Sequence, residues 1–276
     1  MNIDEFKILK QHASKYKYNS FEYLEYENVK EYCVMQPDGG NIIAIRGYDS
    51  ETGMEEIYWA SDSAEALIKA VRSSCNAALV TFIPPEWKAT LEKCGFQEYG
   101  VLREYWINDI YGLQLDAFGG YRFLCDEDCA AAADVTMKCR WQSREFHGES
   151  EDWFRQWMRG ADPNAAECRN CRVLVHKEGL KTAGIACVAT YAHESHDGAV
   201  VWIRELAVAP EYQGRGIGKK LLLQSLKYGM DNGAKRAFLM ADDLNDTAKA
   251  LYTKVGFAPS AVDVQIDLIY RRTNEI

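Results

Sequence analysis

No stretch of the 276 residues stays apolar for the ~20 positions that a membrane-spanning helix needs, so a helical membrane protein is not expected. The opening residues, Met1-Asn2-Ile3-Asp4-Glu5-Phe6, lack the basic region and apolar core of a secretory signal. The expected location is therefore the cytoplasm. A basic excess is missing as well: 32 Lys and Arg face 41 Asp and Glu, for a net charge of −9. The first 119 residues hold 11 basic and 19 acidic side chains, net −8, and the remainder 21 and 22, net −1. A nucleic-acid binder concentrates positive charge on some face, and neither half has any to spare. Nor is there a disulfide framework. The nine cysteines are odd in number and scattered, and in a cytosolic chain they read as small apolar residues. Cys168-Arg-Asn-Cys171, with Cys125 and Cys129 upstream, falls short of the four-ligand spacing of a structural zinc site, so no metal is expected. Low-complexity sequence and long linkers are absent.

What is present is an ordinary globular composition, 47% hydrophobic and 26% charged, in a chain long enough for one large domain or two small ones. The first ~30 residues read as helical. Strands are expected at 31–36, 41–47 and 56–60, with a hairpin turn at Pro37-Asp38-Gly39-Gly40. Ser61-Asp62-Ser63 caps a helix over 64–74. A buried strand at 77–83, a helix opened by Pro84-Pro85 and a strand at 96–107 complete the first half. In the second half, helices are expected at 126–144 and 151–159, and a loop at 160–170. Strands follow at 172–176, 182–190 and 199–208, then a glycine-rich loop, a helix over 216–231, a strand at 236–241, a helix at 245–255 and a strand at 262–270. The segment Leu91-Glu-Lys-Cys-Gly95-Phe96 resembles Tyr252-Thr-Lys-Val-Gly256-Phe257, 161 positions later. Each copy follows a buried strand and a short helix and precedes a strand, which indicates two copies of one α/β unit. The boundary is placed at Ala117–Gly120, giving domains 1–119 and 120–276.

The stretch Glu205-Leu-Ala-Val208-Ala-Pro-Glu-Tyr-Gln213-Gly-Arg-Gly216-Ile-Gly218-Lys-Lys-Leu221 carries the chemistry. A strand ends at Val208, and three alternate glycines open an apolar-faced helix. Glycines expose backbone N–H groups and the helix N-terminus adds partial positive charge, which together favour a phosphate or pyrophosphate. The spacing fails a Walker A loop, because three residues separate Gly214 from Gly218-Lys219 and Lys220 stands where a Ser or Thr is needed. It also fails the dinucleotide fingerprint.

Gln213-x-x-Gly216-x-Gly218, followed by Asn245-x-x-Ala248-x-x-x-Tyr252-x-x-x-Gly256-Phe257, resembles the GNAT superfamily of acetyl-coenzyme A-dependent N-acetyltransferases. The resemblance implies an α/β (α+β) fold of two GNAT-like domains, each a mixed, mostly antiparallel sheet flanked by helices, with only the second active. It implies acetyl transfer from acetyl-coenzyme A to a primary amine of a small molecule or peptide. The backbone of Leu206, Ala207 and Val208 would hold the pantetheine arm as an added strand. Gln213, Gly214, Arg215, Gly216, Ile217, Gly218 and Lys219 would hold the pyrophosphate, and Asn245 the pantetheine amides. Arg215 and Lys219 also read as solvated surface charges, and Asn245 as a helix N-cap.

Such a transfer needs a deprotonated amine, a stabilised oxyanion and a proton for the leaving thiolate. Tyr252 is the candidate acid, and Glu205 the candidate base or acceptor ligand. Their structural alternatives are a core tyrosine and an ion-paired glutamate. Asp242 and Asp243 are lesser candidates for the base. Under the 161-residue offset, Asn245 corresponds to Pro84 and Tyr252 to Leu91, and the turn Ala60–Ser63 has no glycine. The first copy is therefore expected to pack against the second, shape the acceptor cleft or mediate a homodimer. Pocket residues are expected from loops 144–170 and 191–198. The competing readings are an acyltransferase for a longer acyl-coenzyme A and a non-catalytic acyl-coenzyme A sensor.

Overall fold

The computed structural model describes residues 1–36, 41–49, 53–115, 120–140, 142–143, 146–162, 165 and 167–272. The hairpin turn at 37–40, the boundary residues 117–119, and Pro163 and Asn164 of the expected loop lie outside the described residues. In chain order the elements are α1 (Ile3–Ala13), β1 (Tyr18–Asn19), α2 (Tyr26–Val29), β2 (Cys33–Val34), β3 (Ile42–Asp49), β4 (Met54–Ser61), α3 (Ala64–Ser74), β5 (Ala77–Val80), α4 (Pro85–Lys93) and β6 (Phe96–Ile107). They continue with α5 (Cys129–Lys138), α6 (Glu151–Met158), β7 (Arg169–Glu178), β8 (Lys181–Tyr191), β9 (Ala199–Val208), α7 (Ile217–Asp231), β10 (Ala234–Asp242), α8 (Asp246–Val255) and β11 (Ala258–Arg271).

Two compact units emerge, residues 1–101 with 264–276, and residues 102–263. This division differs from a single cut near 119, and the strand pairings explain it. In the first unit β2, β3 and β4 run antiparallel, β4 and β5 pair in parallel, and β5 pairs antiparallel with residues 268–271 of β11. In the second unit β7, β8 and β9 run antiparallel, β9 and β10 pair in parallel, and β10 pairs antiparallel with residues 102–107 of β6. The two units thus share one pattern: an antiparallel hairpin, a helix, a parallel strand, a helix. Residues 264–271 of the strand after α8 fall in the first unit and residues 102–107 of the strand after α4 in the second, a division that no linear boundary expresses.

Local chemistry fixes the element ends. Asn2 and Glu5 form a reciprocal capping box at α1. Ser63 caps α3 and Ser150 caps α6 by accepting from Ala66 N and Trp153 N. The expected N-terminal helix is interrupted after Ala13, because Tyr18–Asn19 is drawn into strand pairing with β4 and Asn19 accepts from Phe21 N to start a 3-10 turn. The helix expected over 126–144 begins as a 3-10 turn at Asp126 and ends at Lys138.

The first unit's core gathers Trp59, Trp87, Leu91, Phe96 and Leu268, with a second cluster around Phe6, Phe21 and Ile45. In the second unit one cluster joins α7 and α8 to the strands through Leu221, Leu226 and Phe257, and another joins α5 and α6 through Phe154, Trp157 and Ile185. All nine cysteines are free; five are buried, two half-buried, and Cys33 and Cys125 exposed. Among the described residues, no helix is long and apolar enough to cross a membrane.

The seat of α7 on β9 depends on Gly229, where a Cβ would lie 2.4 Å from the Cβ of Val201. Alanine is the better helix former by about 1 kcal/mol, but overpacking of a filled core costs about 1–3 kcal/mol. Gly229→Ala is therefore expected to lower the midpoint of chemical denaturation. A midpoint at or above that of the parent would show that the helix shifts freely on the sheet.

Candidate active site

The parallel ladder between β9 and β10 runs from Ala199 and Ala234 to Trp202 and Phe238 and stops there. Both strands continue: β9 pairs with β8 as far as Val208, and β10 with β6 as far as Asp242. Over these last residues, among the described residues, each strand pairs with its outer neighbour alone, and a cleft of about 800 Å³ lies along the divergence. Backbone groups on an unpaired strand edge need partners, so the cleft offers a ladder to an extended ligand. Leu206, Ala207 and Val208 line it, as do Gln213, Gly214, Gly216, Ile217, Gly218, Lys219, Asn245, Glu205 and Tyr252.

At one end the cleft meets the N-terminus of the 15-residue α7. Gly214 and Gly216 adopt φ of +74° and +79°, and a Cβ on either would meet nothing within 4 Å. Side chains are excluded there by backbone conformation rather than by crowding. Gly216 is the N-cap residue, and no side chain caps the helix, which leaves a cradle open to an anion. Gly218 differs: a Cβ there would make ordinary contacts at 3.5 Å with Leu251 and 3.7 Å with Val208. Gln213, on the exposed side of the loop, donates from Nε2 to Val208 O at 2.9 Å and to Gln142 Oε1 at 3.0 Å. Lys219 is exposed at the first turn. Of the expected binding residues only Arg215 is not in the cleft lining. Its guanidinium donates to Glu211 O at 2.9 Å and sits 5.2 Å from the Tyr212 ring, so its local partners turn the charge away.

At the other end lie the titratable groups. Tyr252 projects from α8 with Ala248, Leu251 and Val255 on the same apolar face. Its ring is 6.0 Å from Tyr105, and burial, with Glu205 and Tyr105 nearby, raises its phenol above the ordinary range. It therefore stays protonated and able to donate. Asn245 caps α8, its Oδ1 accepting from Ala248 N at 3.1 Å. Asp242 is buried at the end of β10, accepting from Leu244 N at 3.0 Å and from Ser143 Oγ at 3.4 Å. Asp243 is tied to Arg103 at 2.8 Å.

Glu205 stands beside a β-bulge. Cys187 pairs with Glu205 and Val188 with Ile203, which leaves Arg204 as the extra residue. Strict alternation would put Arg204 and Glu205 on opposite faces, whereas the bulge turns both to one face. Their side chains bond to each other, and Arg204 also reaches Glu149 at 3.0 Å. Burial pushes the Glu205 carboxyl up to about 7; Arg204 pulls it down and Glu149 pushes it up.

Arg204 and Glu149 were not legible as site residues, since the bulge that joins them to Glu205 has no sequence signature. Cys139, Gln142, Ser143 and Phe146 also line the cleft, and the loop 191–198, expected to contribute, does not. Among the described residues no cluster of His, Cys, Asp or Glu has the makings of a metal site.

The first unit handles the same divergence differently. Its parallel ladder spans Glu56–Ile57 and Leu79–Val80. Beyond it β3 covers one edge of β4 at Ala60 and Ser61, and β1 pairs with those same residues, so β1 occupies the edge that β5 vacates. Ser20 Oγ accepts from Trp59 N at 2.8 Å and donates to Trp59 O at 3.0 Å, and the fully buried Trp59 donates from Nε1 to Thr81 O at 2.9 Å. Asp62, just ahead of α3, accepts from Lys17 N at 2.6 Å. Pro84 supplies no capping side chain to α4, and Leu91 is wholly buried. The chain's own residues 17–20 fill the first unit's gap.

A sequence model described as the Acetyltransferase (GNAT) family matches residues 140–257. A mycothiol acetyltransferase of Stackebrandtia nassauensis is 31% identical over 142 residues, covering 51% of this chain and 42% of that protein. The chain spans about two fifths of the length of the first such relatives. Among solved structures, a GCN5-related N-acetyltransferase from Sphaerobacter thermophilus superimposes with a TM-score of 0.54 at 12% identity, covering 86% of this chain and 79% of that one. A tandem GNAT protein from the clavulanic acid biosynthesis pathway gives a TM-score of 0.50 at 14% identity, covering 85% and 84%. These two share the fold.

Two outcomes are expected. Gly216→Val places a branched residue at φ +79°, so it should weaken acetyl-coenzyme A binding at least tenfold in calorimetry; undiminished affinity would remove the loop from the site. The parent chain should bind one acetyl-coenzyme A, because residues 17–20 already pair with the first unit's strand edge. Two sites per chain would mean that this segment is readily displaced.

Proposed function

We propose that this chain, whose residues 140–257 belong to the GNAT acetyltransferase family, transfers an acetyl group from acetyl-coenzyme A to the primary amine of a small molecule or peptide. One observation carries the reading: a diverging strand pair whose open edge has a glycine-opened helix N-terminus at one end and a tyrosine and a glutamate at the other. Acetyl-coenzyme A suits that gradient. Leu206, Ala207 and Val208 pair with its pantetheine amides, the uncapped turn at Gly214–Lys219 takes its pyrophosphate, and Asn245 meets the amides from across the cleft while capping α8. The thioester supplies the activated acetyl group.

The chain's own residues handle the protons. Glu205 accepts a proton from the incoming ammonium group, directly or through one water, and the freed lone pair forms the new N–C bond. As the C–S bond breaks, its electron pair leaves on sulfur and Tyr252 supplies the proton that neutralises it; the second proton lost by the acylated nitrogen restores the Tyr252 phenol, directly or through solvent. Glu205 suits the first task because a carboxyl near 7 is about half ionised at neutral pH and more basic than an ordinary carboxylate. Tyr252 suits the second because its phenol remains protonated throughout that range. The relatives named mycothiol acetyltransferase support acetyl transfer; the acceptor class rests on the acid facing this chain's cleft.

Turnover is tested by coenzyme A release across a panel of amines. Tyr252→Phe is expected to lower kcat on the order of 10²-fold with little change in acetyl-coenzyme A affinity, since it removes a proton donor and almost no contact. An unchanged kcat would retire the acid assignment. Absence of release with every amine, despite bound acetyl-coenzyme A, would favour a non-catalytic sensor.

A further inference from the structure

Glu205 belongs to a set of three charged side chains that the bulge in β9 assembles. Arg204, the extra residue, lies with its guanidinium 4.7 Å from the Trp153 ring centre and 5.9 Å from that of Trp157. Its Nη1 bonds both Glu149 and Glu205. The three side chains are 16–20% exposed, so water screens them little. An arginine stacked on an indole and shared by two carboxylates has few rotamers left. Resting on the reading of Glu205 as the proton acceptor, we propose that Arg204 is its positioning residue, held by Trp153, and that Glu149 governs Glu205 by competing for the same guanidinium.

The other groups facing this set act less on Glu205 or not by charge. Cys187 on β8 and Tyr252 on α8 are both held protonated by burial and so stay neutral across the working range. Asp242 at the end of β10 is occupied by Leu244 N and Ser143. Asp162, beyond α6, acts on Arg204 rather than directly on Glu205. Among the described residues, Arg204 is the cation bonded to Glu205, and Glu149 the carboxylate that divides its charge. Of the two protons that the ammonium nitrogen loses, one passes to a Glu205 oxygen and returns to solvent after acetyl transfer, and the other replaces the proton that Tyr252 gives to sulfur, while Arg204 and Glu149 exchange none.

Two substitutions should therefore act in opposite directions. Arg204→Met removes the cation that stabilises the Glu205 carboxylate, so Glu205 should hold its proton to higher pH. Glu149→Gln removes a like charge and leaves the guanidinium fork to Glu205 alone, so Glu205 should lose its proton at lower pH. General damage to packing would lower stability in both variants without opposed shifts.

The test is an NMR titration of ¹³C-labelled glutamate carboxyls in the full chain, with the Glu205 signal assigned by its loss in Glu205→Gln. The acid limb of kcat/KM for the best amine in the panel is measured alongside. The midpoint should rise by about one pH unit in Arg204→Met, a tenfold loss of carboxylate below the midpoint. It should fall in Glu149→Gln, with the kinetic limb following in each case. Shifts in the same direction, or no shift in either, overturn the proposal. Should Arg204→Met fail to fold, Arg204→Lys keeps the charge but loses the fork and the stacking on Trp153; a smaller rise is then expected, and an unmoved midpoint again overturns it. The titration needs no acceptor. Midpoints that move as expected in a chain that transfers no acetyl group would count against acetyl transfer and leave the coupling of these three residues standing.

Discussion

Everything at the candidate site depends on where one parallel ladder stops. β9 and β10 remain paired through Trp202 and Phe238 and then part, each still held by its outer neighbour. A strand edge left in that state offers N–H and C=O groups to an extended ligand, with Val208 O already accepting from Gln213 Nε2. The second unit leaves the edge beside a cleft, whereas the first closes its own with residues 18–20. One topological device therefore yields a cleft in one copy and a filled core in the other. The difference lies in a few residues: glycines ahead of α7 against Asp62 ahead of α3, and an open strand edge against Ser20 and Trp59.

The bulge at Arg204 is the second constraint. Without it, Glu205 would point away from Arg204 and sit opposite a different residue of β8. With it, two consecutive charged side chains share a face and bring in Glu149 from the segment before α6. The carboxyl near 7 is then the resultant of three influences: loss of water, one stacked cation and one competing carboxylate. Removal from water is the largest, which is why the carboxyl lies above its ordinary value despite the arginine beside it.

Much of this was legible in the sequence, for identifiable reasons. The helix 64–74 and the strands 96–107 and 199–208 were read with the observed limits, because caps and hydrophobic period agree there. The loop from Gln213 to Lys219 was legible because three alternate glycines opening an apolar-faced helix favour an anion and, with the downstream Asn245–Phe257 pattern, resemble the GNAT loop. The apolar spacing of α8 placed Tyr252 on a buried face, while its candidacy as the acid was legible only through the GNAT resemblance. What escaped was non-local. The pairing of Leu268–Arg271 with Ala77–Val80 joins segments nearly 190 positions apart, so a linear domain boundary was bound to miss it. Tyr18–Asn19 resembles its helical surroundings in sequence and becomes a strand only because an edge of β4 lacks a partner. The bulge arises from register between β8 and β9, and the place of Gln142 and Ser143 on the cleft from a helix that ends at Lys138.

Hydrogen exchange with and without acetyl-coenzyme A, followed by mass spectrometry at peptide resolution, tests most directly the claim that the diverging edge of β9 is where the acetyl donor lies. Added acetyl-coenzyme A should slow exchange at Leu206–Val208 and at Gly214–Lys219, and leave Tyr58–Ser61 of the first unit unchanged. Protection confined to other segments, or appearing at Tyr58–Ser61 in place of Leu206–Val208, would contradict it.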